Sequence, residues 1–187
     1  MVNANAPVTN ISAPDLVLVV LFFFLAFIIG VALQGLSAWV EDVVNRRRYG
    51  GYPSILYLED GDPTFPKYFK DRIRQLASEA FGTPTGSAPQ HIFDLCYSYV
   101  VQRHVSDRVL SFLHTYTFAR NMMVTTTIAG AILLVLAFHR GQMILALLGL
   151  ISFGLSYLFY RRFLRYAQSF AKEVLRSFFI DRTLRAL

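Results

Sequence analysis

Two pairs of residues combine side chains suited to catalysis with suggestive spacing. Asp60 and Asp62 follow a short apolar segment, where paired carboxylates would serve as nucleophile and general acid/base, or would bind Mg²⁺. Arg108 and His114 enclose five residues in a stretch without Gly or Pro, where a cation and an imidazole would act on a phosphodiester. Each pair requires a particular fold around it, so the surrounding sequence decides between catalysis and structure.

The segment ILYLEDGDPT (residues 55–64) is similar to the nucleophile motif of haloacid-dehalogenase-type phosphatases. The resemblance implies that Asp60 is the nucleophile and Asp62 the acid/base. That family also requires a doubly wound sheet, a downstream Lys and further acidic ligands, which the short and largely helical region 41–119 cannot build. We therefore interpret the segment as a turn that leads into a helix.

The segment RVLSFLH (residues 108–114) has the R-x5-H spacing of HEPN ribonucleases, in which the motif lies on a helix and forms a composite site in a dimer. The resemblance implies catalytic roles for Arg108 and His114. The neighbouring Asp107 also allows a simpler interpretation, an ion pair with Arg103 or Arg108 on the helix surface. We favour this surface interpretation and predict that the chain is not an enzyme.

The sequence has no recognisable metal or cofactor motif. Cys96 is the single cysteine, and it forms no C-x2-C or H-E-x-x-H pattern with the histidines. There is no glycine-rich phosphate loop. We expect no cofactor, no metal and no small-molecule substrate, and we expect Cys96 to be a core residue.

Long apolar runs dominate the sequence of 187 residues, of which 55% are hydrophobic and only 16% charged. Uncharged runs extend over Leu16–Ala32, Met122–Phe138 and Met143–Tyr160. A membrane-spanning helix needs about 20 mostly apolar residues. This pattern excludes a disordered chain and predicts an all-α, polytopic membrane protein with three spans, at residues 16–40, 120–138 and 143–160, and a small helical cytoplasmic domain.

The distribution of basic residues predicts how the chain is oriented in the membrane. Residues 1–15 contain no Lys or Arg, and the turn 139–142 contains only Arg140. The other basic residues lie in regions 41–119 and 161–187 or at the adjoining start of the second span. We therefore expect an outer N-terminus, a cytoplasmic C-terminus and a location in a bacterial inner membrane.

Local patterns predict the course of the helices. The first helix should stop at Gly50, residues 52–58 should be a strand or an extended segment, and a helix capped by Thr64 should end at Gly82. Residues 90–138 contain no Pro and no Gly before Gly130, which predicts one continuous helix. The third span should continue into the tail and form an antiparallel hairpin with the second.

Small residues recur within the spans, whereas ionisable residues are absent from the span interiors, which argues against transport chemistry. Small residues at four-residue spacing allow helix backbones to approach closely. They predict packing within the chain or contact with other subunits, and three adjacent threonines (125–127) would line a polar path in an oligomer. The predicted packing residues are Ala26, Gly30, Thr126, Gly130, Gly149, Ser152 and Ser156.

The tail, residues 161–187, alternates basic with apolar residues and predicts an amphipathic helix beside the membrane. Such a helix attracts anionic lipid or an acidic partner. The residues expected to make this contact are Arg161, Arg162, Arg165, Lys172 and Arg176. We expect no nucleic-acid binding, because no folded basic platform is evident.

These features together predict a non-enzymatic membrane scaffold or accessory subunit that acts through helix packing and cytoplasmic docking. Its expected partners are membrane lipids and either other membrane subunits or further copies of itself. The alternative is an oligomeric pore-forming effector of the defence or cell-suicide type.

Overall fold

The computed structural model describes residues 13–84 and 86–185 and contains six helices and no strand within those ranges. Most of the predicted outer segment (residues 1–12) and the last two residues of the tail lie outside the described ranges. The helices are α1 (Ala13–Tyr49), α2 (Pro53–Leu56), α3 (Lys67–Phe81), α4 (Pro89–Gln102), α5 (Asp107–Arg140) and α6 (Met143–Leu184).

Three of the helices, α1, α5 and α6, are long and apolar enough to cross a membrane. Their apolar stretches coincide with the three uncharged runs of the sequence. The prediction of an all-α fold with three membrane-spanning helices is therefore confirmed.

Helices α5 and α6 form an antiparallel hairpin around a tight turn. Gly141 ends α5 in the left-handed conformation (φ 63°), and its N–H donates to the carbonyl of Ala137. Gln142 then starts α6, which continues without a break to Leu184. At 1.5 Å per residue α6 is about 63 Å long, so roughly half of it extends beyond a bilayer core of about 30 Å.

The predicted continuous helix over residues 90–138 is wrong, because the chain breaks at residues 103–106 between α4 and α5. His104 adopts a left-handed conformation (φ 49°), and the N–H of Val105 donates to the carbonyl of Val100. The break turns α4 back against α6, and Val100 and Val109 on either side of it become fully buried. Burial of apolar side chains therefore overrides the local helical pattern.

The predicted strand or extended segment at residues 52–58 is also wrong, because Pro53–Leu56 forms one helical turn. Pro53 occupies the first helical position, where its missing N–H costs no hydrogen bond. The N–H of Tyr57 closes the turn on the carbonyl of Pro53. The turn directs Leu58 into the core, where it is fully buried.

Helix α3 ends at Gly82 as predicted, in a left-handed conformation with φ 66°. Its start differs from the prediction, because the capping position is Pro66 and no side chain caps the helix. Thr64 instead donates its backbone N–H to Oδ1 of Asp62, at 2.7 Å, in the preceding turn.

The short helices pack on the far half of α6 to form a helical domain (residues 53–109 with 163–184). Its aromatic centre is Phe178, which is fully buried and lies 5.4 Å, centroid to centroid, from the ring of Tyr99. The core residues are Tyr57, Leu58, Phe65, Ile73, Leu76, Ala77, Ile92, Phe93, Cys96, Tyr99, Val100, Val109, Ala171, Val174, Leu175 and Phe178.

Candidate functional site

The apolar half of α1 has no packing partner in the described chain. Every side chain from Val17 to Ala32 is exposed, and even the bulky Phe22 and Phe27 are 67% and 70% accessible. Of the predicted packing residues, Ala26 and Gly30 lie in this stretch. A Cβ atom added to Gly30 would meet nothing within 4 Å. This half of α1 is therefore a free apolar surface on all sides.

The opposite end of α1 packs against the rest of the protein along a face that carries three buried polar residues. Ser37, Glu41 and Asn45 follow each other at four-residue spacing on one face of the helix, and all are buried. Helix geometry places residues i, i+4 and i+8 on one stripe, so this stripe faces the hairpin. The membrane half of α1 therefore projects from an anchored base.

An ion pair connects the base of α1 to α5. Nη1 of Arg120 donates to Oε2 of Glu41 at 2.5 Å, and the two side chains are only 12% and 10% exposed. The hydroxyl of Tyr116, one turn away on α5, donates to Oε1 of the same carboxylate. Tyr116 in turn stacks on the buried ring of Phe163 in α6, at 5.3 Å between centroids.

Polar contacts continue around this base. Nε2 of Gln168 on α6 donates to the hydroxyl of Tyr49, at 3.0 Å, and the hydroxyl of Tyr52 donates to Asp42 at 3.3 Å. A small cavity of about 140 Å³ borders Glu41, Tyr116 and Asn45, whose Oδ1 has no protein hydrogen-bond partner. A cavity of this size has room for ordered water, which would bond to Oδ1 of Asn45.

Sequence reasoning missed this polar base, although the sequence contained a signal for it. Glu41 is the first acidic residue after the first apolar run, and Arg120 lies two positions before the second. A charge that follows one span and an opposite charge that precedes the next lie at the same face of the membrane, where two antiparallel spans bring them together. The two residues are 79 positions apart, and the sequence does not specify that their helices are neighbours.

An open apolar groove separates α1 from the hairpin just on the membrane side of this base. It has a volume of about 480 Å³. Leu36, Val40 and Val44 line it from α1, while Phe153 and Tyr157 are among the lining residues of α6. Leu36 lies one helical turn beyond Ala32, where the uncovered stretch of α1 ends.

The remaining predicted packing residues lie together inside the α5–α6 hairpin. A Cβ atom added to Gly130 would lie 3.1 Å from the carbonyl oxygen of Gly149, so the two backbones touch at this level. The hydroxyl of Ser152 donates to the carbonyl of Thr126 at 2.8 Å, and that of Ser156 donates to the carbonyl of Met123 at 2.9 Å. The structure thus uses these small residues for packing within the chain.

Two of the three threonines considered as a pore lining bond within the same hairpin. Thr126 donates its hydroxyl to the carbonyl of Met122, at 2.7 Å, within α5. The hydroxyl of Thr127 lies 2.8 Å from the carbonyl of Met123 and 2.6 Å from the hydroxyl of Ser156. These contacts engage the hydroxyls of Thr126 and Thr127 within one chain.

The five predicted lipid-binding or partner-binding residues of α6 separate into two groups. Arg161, Arg162 and Arg165 are exposed at the end of the apolar segment. Nζ of Lys172 lies 5.5 Å from the ring centroid of Tyr57, and the guanidinium of Arg176 lies 5.9 Å from that of Phe65. Lys172 and Arg176 therefore cover aromatic rings of the helical domain.

The acidic turn at residues 59–63 is a structural element. Fully buried Lys70 donates Nζ to the backbone carbonyls of Glu59 and Asp62. Arg74 donates to the carbonyl of Leu58 at 2.6 Å and to Oδ1 of Asp60 at 3.0 Å. The carboxylate of Asp60 thus accepts a hydrogen bond from Arg74, and that of Asp62 accepts one from the backbone of Thr64. These bonds agree with the interpretation of the segment as a turn leading into a helix.

Arg108 and His114 lie on α5 with exposed side chains. Six residues correspond to a rotation of about 240° around an α-helix, so the two side chains leave the axis in different directions. The pair therefore does not converge on one site within a single chain. Arg108 instead borders an open groove together with Glu173 and Asp181 of α6.

Cys96 is fully buried in the core of the helical domain, as expected from the sequence. Burial raises the pKa of its thiol to about 12, which removes the thiolate needed for metal binding or nucleophilic attack near neutral pH. Among the described residues, no group of three or more His, Cys, Asp or Glu side chains is placed to hold a metal ion.

Comparisons with protein-family models, curated proteins and solved structures find no match to this chain.

Proposed function

We propose that this protein is a non-enzymatic membrane scaffold, an accessory subunit that binds another membrane protein along α1. The observation that carries the proposal is the change in environment along this helix. Its apolar half is exposed from Val17 to Ala32, whereas Glu41 and Asn45 at its base are buried. A helix that is anchored at one end and uncovered along the rest presents a preoriented surface to a partner.

The apolar groove beside α1 supports the same proposal. A partner helix that packs on α1 would also fill the groove of about 480 Å³ between Leu36 and Phe153. The small residues Ala26 and Gly30 allow close approach of such a helix, because nothing else occupies their surroundings. The phenylalanines of α1 supply bulky side chains for packing against it.

The distribution of arginines supports an orientation for the complex. The helical domain adjoins the basic end of α1, with Arg46–Arg48, and the basic middle of α6, with Arg161, Arg162 and Arg165. Basic residues remain preferentially on the cytoplasmic side of bacterial membranes. We therefore place the helical domain in the cytoplasm of a bacterial cell, where it is available for docking, and the α5–α6 turn outside.

The test is site-specific photo-crosslinking in native membranes, followed by mass spectrometry. A photoreactive amino acid replaces Phe22 or Phe27 on α1, and a matched control replaces Ile151, an exposed apolar residue of α6. The scaffold predicts one recurrent protein adduct from both α1 positions and only lipid adducts from Ile151. Lipid adducts alone from all three positions would contradict docking through α1.

The crosslinking result, combined with a dye-release assay and co-purification, distinguishes the scaffold from the pore-forming alternative. If the α1 adducts consist of this chain alone and the purified oligomer releases dye from liposomes, the pore-forming effector replaces the scaffold. A stoichiometric second protein that co-purifies after detergent extraction, without dye release, supports the scaffold.

A further inference from the structure

Three arginines of α6 form a compact positive cluster where the apolar segment ends. Arg161, Arg162 and Arg165 follow Tyr160 and span about 6 Å along the helix axis. All three are exposed, and the ion pairs between described residues include none of them. This cluster therefore carries three positive charges without a carboxylate partner in the described part of the chain.

Several other positive charges near the membrane ends are arranged differently. Arg120 is paired with Glu41, and Arg46 is paired with Asp42 at 2.9 Å. Lys172 and Arg176 lie over the rings of Tyr57 and Phe65. Arg47 and Arg48 of α1 are also exposed and outside the ion pairs between described residues, so the feature that distinguishes Arg161, Arg162 and Arg165 is the groove that they line.

A groove of about 480 Å³ joins the arginine cluster to the apolar surface of α6. It is lined by the three arginines together with Leu158 and Tyr166. Leu158 is 62% exposed and belongs to the apolar segment, whereas the guanidinium of Arg162 lies 5.5 Å from the ring centroid of Tyr166. The groove is therefore apolar at its membrane end and strongly positive at the other.

We propose that this groove binds one anionic phospholipid, with its phosphate on Arg161, Arg162 and Arg165 and an acyl chain along Leu158. Guanidinium groups bind phosphate oxygens in a bidentate manner, which makes arginine especially suited to this headgroup. The order of apolar and basic residues along the helix matches that of acyl chain and phosphate in a membrane leaflet. The site is independent of α1 and of any protein that docks there.

The experiment titrates purified full-length protein in neutral detergent with phosphatidylglycerol or phosphatidylcholine and counts bound lipid by native mass spectrometry. The test variant is Arg161→Gln/Arg162→Gln/Arg165→Gln. The control, Arg47→Gln/Arg48→Gln/Lys67→Gln, also removes three positive charges from the protein but none from the groove. We expect the test variant to bind phosphatidylglycerol on the order of a hundredfold more weakly at low salt, because each basic residue contributes about fivefold.

Selective loss in the test variant, with binding retained in the control and little binding of phosphatidylcholine, supports the site. Equal loss in both variants would show general charge attraction and would overturn it, as would unchanged binding in the test variant. Displacement of the lipid by an equimolar amount of soluble glycerol phosphate would show that the arginines bind free phosphate, and would also overturn the phospholipid site. Circular dichroism and thermal unfolding in detergent verify that both variants fold.

Discussion

The α5–α6 hairpin and the membrane half of α1 contain the same kind of small-residue spacing but use it differently. In the hairpin, Gly130 faces Gly149 so closely that an added Cβ would lie 3.1 Å from the opposite carbonyl oxygen. In α1, Gly30 has the same spacing from Ala26, yet no atom of another element lies within 4 Å of its added Cβ.

The two regions differ in the side chains that surround their small residues. The hairpin has small residues on both helices at matching levels, and the hydroxyls of Ser152 and Ser156 bond to the backbone of α5. Helix α1 has small residues on one face but is otherwise lined by phenylalanine and aliphatic side chains, with no hydroxyl between residues 17 and 36. Complementary polar groups on two helices identify a packing contact better than small residues on one helix do.

The largest predicted effect comes from breaking the attachment between these two regions. Arg120→Met leaves the buried carboxylate of Glu41 without its cation, and removing one member of a buried pair costs roughly 3–5 kcal/mol. We expect the free energy of unfolding in detergent to fall by about that amount. Hydrogen exchange at the base of α1 should accelerate, while exchange within the hairpin should change little.

The double variant Glu41→Gln/Arg120→Met is the matched control, because it removes both charges and leaves a neutral acceptor for Tyr116. It should recover most of the lost stability. Equal destabilisation of the single and double variants would show that charge pairing does not hold the base of α1.

The next largest predicted effect is the loss of stability when a large side chain replaces a closely packed glycine of the hairpin, compared with an unpacked glycine of α1. Gly130→Leu forces a side chain into the carbonyl of Gly149 and the ring of Phe153, both 3.1 Å from an added Cβ. Overpacking of this kind costs roughly 1–3 kcal/mol or more, measured as lost thermal stability in detergent. Gly30→Leu is the matched control and should stay within about 0.5 kcal/mol of the parent protein. Similar losses in both variants would remove the distinction between the two regions.

Much of the fold was predictable because the membrane imposes strong constraints on the sequence. Long uncharged runs can only be accommodated as spanning helices, and Gly82 ends its helix in the left-handed conformation that glycine favours. The break at residues 103–106 was not predictable, since it contains neither Gly nor Pro. It depends on the burial of Val100 and Val109 against distant parts of the chain.

The candidate surface was only partly predictable for a related reason. The sequence identified Gly30 and Gly130 as equivalent small residues but carried no information on which helix faces which. Glu41 and Arg120 were overlooked because their importance depends on a contact between residues 79 positions apart. The arginines of α6 were recognised as one basic set, whereas the positions of aromatic rings in the folded domain divide them into two groups.

The smallest predicted effect concerns the hydroxyl groups that distinguish the two regions. Ser156 donates across the hairpin to the carbonyl of Met123, whereas Ser37 of α1 donates to the carbonyl of Leu33 in its own helix, at 2.7 Å. Ser156→Ala should therefore lower the free energy of unfolding by about 0.6 kcal/mol, the average for hydrogen bonds between membrane helices. Ser37→Ala removes no bond between helices and should cost less.

A double-mutant cycle isolates the part of this effect that acts between helices. The hydroxyls of Thr127 and Ser156 lie 2.6 Å apart, so Thr127→Val and Ser156→Ala should show a coupling energy of about 0.5 kcal/mol or more, measured by unfolding in detergent. Thr127→Val combined with Ser37→Ala should be additive, because Ser37 bonds only within α1. If the second pair couples as strongly as the first, the hydroxyl contacts would not explain why α6 packs on α5 while α1 remains uncovered.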